Sequence, residues 1–112
     1  MRWRFIAAAL ASAALGAHAQ APAGDAQKGK AAYEKHMCGG CHGTAGQGTR
    51  YGPKLAPALP WQAFEHEVRH PRAEMPRYPA QFVSDAELAD LIAYLSSMPA
   101  GKPAKEIPLL KE

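Results

Sequence analysis

Both cysteines of the 112-residue chain, Cys38 and Cys41, stand in the stretch HMCGGCHG, with His42 directly after the second. Two thiols and an imidazole so spaced support several chemistries. A disulfide between Cys38 and Cys41 closes too short a loop to stabilise much, because the entropic gain from a cross-link grows with the loop it closes. A thioredoxin-like redox pair belongs at a strand-to-helix junction, whereas the preceding segment DAQKGKAAYEK reads as a helix and no strand is evident nearby. Zinc finds candidate ligands in Cys38, Cys41 and His42, yet no second CxxC completes the site.

The remaining reading of C-x-x-C-H is covalent attachment of one c-type haem. Two thiols at this spacing can each add to one of the two vinyl groups on neighbouring edges of a porphyrin. The next residue then turns its imidazole under the iron. Covalent attachment suits a protein that works outside the cytoplasm, where a loosely held haem is lost to dilution.

Export is indicated by the opening of the chain. Residues 1–19 run from Arg2 and Arg4 through an alanine- and leucine-rich stretch to Ala17-His18-Ala19, the order of a cleaved secretory signal. The apolar part is shorter than the roughly 20 residues a bilayer span needs, so the mature protein is expected not to cross a membrane. Trp3 separates the arginines, which excludes a twin-arginine signal. Thirteen Lys and Arg face ten Asp and Glu in the whole chain, and loss of Arg2 and Arg4 brings the mature protein close to neutral. The basic character of the full sequence is therefore no indication of nucleic acid. The expected organisation is a signal at 1–19, a single domain at 20–99 and a tail at 100–112. Such a short chain, thin in Ile, Val and Phe, has a marginal core of its own. A haem supplies a large flat apolar body to wrap.

The elements that must position the motif are helical. VSDAELADLIAYLSSMP offers Ser84 as N-cap with Glu87 three positions on, a capping box, and Leu88, Leu91, Ile92 and Leu95 then recur with helical spacing. PWQAFEHEVRH places Trp61, Phe64 and Val68 on one side, with Pro60 suited to a helix start and Pro71 to its stop. No segment alternates with period two for long. The fold class is all-α, with three main helices and Pro- and Gly-rich loops laid around the haem.

From about Gly24 to Pro99 the sequence resembles a small class I, mono-haem bacterial cytochrome c of the periplasmic type. The motif, Gly29 and Tyr33 in the first helix, Leu91 and Tyr94 in the last, and the segments YGPKL and HPRAEMPRYP carry the resemblance. It implies that the first helix crosses the last closely at the glycine, with aromatic residues at the contact. It also implies that the Pro53 carbonyl accepts a hydrogen bond from the His42 ring, that Leu55 packs on the haem face, and that Met75 is the second axial ligand. Three prolines, Pro71, Pro76 and Pro79, restrict the Met75 loop independently of any resemblance. Met37 adjoins the attachment site and Met98 ends a packing helix, which leaves them weaker candidates. Tyr51, Trp61 and Arg50 have two readings, contact with a haem propionate or ordinary edge residues, and Tyr78 is expected to pack near the methionine. His36 and His66 are expected to be solvated, and His70 is a minor substitute for Met75. Lys54, Arg72 and Arg77 are either a weak docking patch for an acidic partner or a solvated charge set.

Two protein ligands leave the iron no open position, and a soft sulfur favours the ferrous state. A one-electron carrier is expected, with Cys38, Cys41 and Gly43 at the exposed thioether edge. The resemblance extends to cytochrome subunits that accept electrons from periplasmic dehydrogenases, with another cytochrome or an oxidase as acceptor. Two other classes compete: a haem enzyme or ligand sensor with a displaceable sixth ligand, and a thiol-disulfide or metal module with free cysteines.

Overall fold

A computed structural model of the chain describes residues 21–99 together with Glu106 and Pro108. The expected signal at 1–19 and Ile107, Leu109 and Leu110 of the tail lie outside the described residues. Among the described residues there are four α-helices and no strand: α1 (Ala26–Lys35), α2 (Gly39–His42), α3 (Trp61–Arg69) and α4 (Asp85–Ser97). None of them is long and apolar enough to cross a membrane.

Helix α1 starts where Asp25 accepts hydrogen bonds from the backbone N–H groups of Gln27 and Lys28, satisfying donors that have no partner inside the helix. Helix α4 starts at Ser84 with both halves of the expected capping box in place. These two helices make the main contact of the fold. Gly29 explains how closely they meet, because a Cβ there would lie 1.9 Å from the carbonyl oxygen of Asp90. The buried faces are Gly29, Ala32 and Tyr33 on α1 against Leu88, Ala89, Leu91, Tyr94 and Leu95 on α4. The Tyr33 and Tyr94 rings meet at 5.5 Å in a tilted pair, as the expected aromatic contact requires. Asp25 adds a polar tie, its N–H donating to the Asp90 carboxylate at 2.7 Å.

Helix α3 begins after Pro60 and buries Phe64, Val68 and Arg69. Phe64 and Val68 join the same core as the α1–α4 crossing, together with Ala56 and Val83 from the loops. The three expected main helices are thus present, and α2 is an addition. GGCH is a poor helix former by composition, since two glycines lose much backbone freedom on ordering. Its turn closes because the carbonyls of Cys38 and Gly39 accept from the N–H groups of His42 and Gly43, each at 3.0 Å.

Candidate functional site

The α1–α4 crossing reaches the attachment segment through its two tyrosines. Tyr33 Oη donates to the Gly43 carbonyl at 2.6 Å and Tyr94 Oη to that of Thr44 at 3.3 Å. Burial pushes the Tyr33 hydroxyl up to about 12, so it is a firm donor at any working pH. Met37, in a left-handed conformation at φ 56°, separates α1 from the helical turn that carries the motif. That turn sends the two cysteines and the histidine to different surroundings. Cys38 is half-buried against the core and Cys41 is exposed, and the two are not joined in a disulfide. Burial raises the pKa of the Cys38 thiol.

His42 is 7% exposed. Its Nδ1–H donates to the Pro53 carbonyl oxygen at 2.8 Å, the partnership the YGPKL segment implies. A carbonyl only accepts, so this bond fixes the proton on Nδ1 and leaves Nε2 with its lone pair free. Nε2 makes no hydrogen bond among the described residues. Gly52 keeps the YGPKL backbone close to the ring: a Cβ at this residue would lie 2.9 Å from both His42 Nδ1 and the Cys41 carbonyl oxygen. The loop returns to the motif by further bonds, from Gly48 N–H to the His42 carbonyl and from Leu55 N–H to the Gly46 carbonyl, both 2.8 Å.

Of the other sequence candidates, Leu55, Trp61, Met75 and Tyr78 are half-buried hydrophobic residues packed against the one core, as Cys38 is. Tyr78 is tied down further. Its N–H donates to the Val68 carbonyl, its hydroxyl to the His36 carbonyl at 3.2 Å, and its ring lies edge-on to the His36 ring. Tyr51 stands apart at 67% exposed, hydrogen-bonded to the Arg50 guanidinium that also covers its ring. Met37 is 78% exposed, whereas Met98 is half-buried at the end of α4.

His36 departs from the sequence expectation, and Arg69 makes contacts that no sequence feature announces. His36 is not solvated: its side chain is 12% exposed and its Nε2 lies 3.3 Å from the Glu87 carboxylate, which also accepts from Lys35 at 2.9 Å. That contact joins the end of α1 to the start of α4 across a wide sequence gap, and no local pattern announces it. Arg69 had no assigned role, yet it is 6% exposed. Its guanidinium donates to the carbonyls of Tyr78 and Val83 at 2.8 and 2.6 Å and to the Asp85 carboxylate at 2.7 Å. Lys54, Arg72 and Arg77 are all exposed, and Arg72 also pairs with Glu67 at 3.1 Å. His66 is exposed as expected and stacks on His70.

The donor set, two thiols on one helical turn followed by an imidazole with a directed free lone pair, fits covalent haem. The half-buried apolar residues packed against the core, Leu55, Trp61, Met75 and Tyr78, fit a flat apolar partner. Comparison with known families agrees: residues 24–95 match the family described as cytochrome C oxidase, cbb3-type, subunit III. No curated protein gives a significant match. The match runs from the start of α1 through the motif into α4, and the chain belongs to this cytochrome c family. Its cofactor is a covalently bound c-type haem, and its function is haem-based electron transfer.

When bound, the haem supplies a one-electron iron couple. Cys38 and Cys41 are the residues that would hold it covalently, and His42, oriented by its bond to Pro53, is the residue that would offer its iron a ligand. A fixed tautomer makes the imidazole a better donor and limits its rotation.

Proposed function

We propose that the protein is a one-electron carrier working outside the cytoplasm, in the periplasm of a bacterial cell, with His42 and Met75 as the axial ligands of its haem iron. It acts either as a free shuttle or as the electron-accepting subunit of a dehydrogenase, handing electrons on to another cytochrome or an oxidase. The observation that carries this reading is the 2.8 Å bond from His42 to Pro53, which presents a single free ring nitrogen. Met75 is favoured as its counterpart because it is half-buried against the core in a proline-restricted loop with both ends fastened. Met98 directly terminates α4, where its N–H bonds the Leu95 carbonyl. With two protein ligands the iron changes little between its ferric and ferrous forms, which suits fast electron exchange over catalysis.

The test is the visible spectrum of protein exported in a host able to attach haem, for wild type and Met75→Ala. Low-spin ferrous c-type bands, with a weak far-red sulfur-to-iron band in the ferric wild type that is absent from the mutant, are expected. A high-spin ferric wild type, or one without the sulfur band, would overturn Met75 ligation and favour a haem enzyme or ligand sensor.

A further inference from the structure

We propose that Arg69 is the positioning residue that holds Met75 in place, an inference that rests on reading Met75 as the sixth ligand. A guanidinium almost withdrawn from water is costly to keep unless its donors are matched. Here they are matched by one particular set of acceptors. Arg69 closes α3, and its bonds run to Tyr78 in the middle and Val83 at the end of the connection to α4, then to Asp85 in the first turn of α4 itself. Glu65, one turn back on α3, lies 3.5 Å from Nε on the other side.

The consequence falls on Met75. The N–H of Tyr78 bonds the Val68 carbonyl while the carbonyl of Tyr78 accepts from Arg69, so residues 70–77 form a small loop whose two ends are fastened to each other. Met75 lies inside that loop, between Pro71 and Pro76. A thioether is a weak, neutral donor, and its occupancy of a metal depends on how little freedom its tether has. In effective-concentration terms, a closed loop presents the sulfur locally and a loosened one dilutes it. The planar fork of arginine can serve two carbonyls and a carboxylate together, whereas a lysine ammonium acts as a point charge. The Asp85 partner has a side chain 63% exposed, so the two carbonyl bonds matter more than the ion pair.

The experiment titrates imidazole into the ferric haem-loaded protein and follows the sulfur-to-iron band, for wild type, Arg69→Gln, Arg69→Lys, Asp85→Asn and Asp25→Ala. Arg69→Gln is expected to bind imidazole at least tenfold more tightly than wild type and to show a weakened sulfur band. Arg69→Lys should fall between the two, and it supplies the result if Arg69→Gln does not load haem. Asp85→Asn should stay within about threefold of wild type. Asp25→Ala removes the α1 cap far from the loop and should lower thermal stability without changing imidazole affinity. A wild type lacking the sulfur band refutes Met75 ligation itself. A wild type that has the band, with Arg69 variants of unchanged band and affinity, overturns the role of Arg69 alone. An Asp25→Ala protein that gains imidazole affinity as much as Arg69→Gln also overturns it, because the effect is then general destabilisation.

Discussion

The two connections made by α4 differ in what dominates them. Toward α1 the contact is apolar and direct, with Gly29 pressed on the Asp90 carbonyl and Tyr33 tilted on Tyr94. Toward α3 the connection through residues 70–83 is gathered by one buried guanidinium and a few backbone bonds. Apolar packing is insensitive to small displacements of any one group until close-packed atoms collide. A polar clamp holds particular atoms at particular places and fails when one donor goes. The first suits a scaffold that carries the covalent attachment. The second would suit a loop that presents Met75 as the proposed iron ligand.

Substituting Gly29 by Val is the harshest way to break the contrast. The branched side chain would have to occupy space 1.9 Å from a backbone oxygen, so the helices must separate and most of the buried face is lost. A loss of roughly 3 kcal/mol or more is expected, read as a lowered guanidinium midpoint of the haem-loaded protein or as failure to accumulate. Tyr33→Phe sharpens the comparison with a smaller change. It keeps the ring contact but leaves the buried Gly43 carbonyl without its 2.6 Å donor, at a cost of about 2 kcal/mol. Because the lesion lies on the attachment side, the ferric sulfur-to-iron band should be unchanged while the unfolding midpoint falls. Loss of that band in Tyr33→Phe would show that the two regions are not mechanically separate.

Much of the scaffold was legible because its signals are local. Ser84 and Glu87 lie three residues apart and write a helix start into the chain. Pro60 and Pro71 bracket α3, and Asp25 precedes α1. The attachment motif is legible for a related reason, since its chemistry demands a fixed short spacing. Arg69 carries no sequence signal because its partners are backbone carbonyls, which every residue has and no sequence pattern marks. At the end of an amphipathic helix an arginine also looks like an ordinary C-terminal cation. The pairing of His36 has no local signal, its partner Glu87 being 51 positions away. The helical turn of α2 ran against propensity, because its two glycines are poor helix formers and the surrounding contacts override them.

Glu87 offers the mildest probe, at a polar contact that adds to the apolar α1–α4 crossing. Its carboxylate accepts from the Ser84 backbone to start α4 and from Lys35 and His36 to hold the end of α1. The Lys35 hydrogen bond is the largest cause that holds its pKa down at about 2, below the usual 4.5. A depressed carboxylate stabilises the fold fully above its unfolded value and loses that contribution as pH falls through the folded one. Stability should therefore decline between pH 4.5 and about 2 through this group. Lys35 is 64% exposed, and water screens the pair, so about 1 kcal/mol is expected instead of the full value of the shift. Glu87→Gln keeps the shape and one acceptor but cannot titrate. Thermal unfolding of the two proteins should differ by several degrees at pH 6 and converge near pH 2, with the gap at pH 6 narrowing in 1 M salt. A gap that persists unchanged at pH 2 would mean that Glu87 acts through its cap on α4 alone and that its ion pair with α1 adds nothing to the crossing.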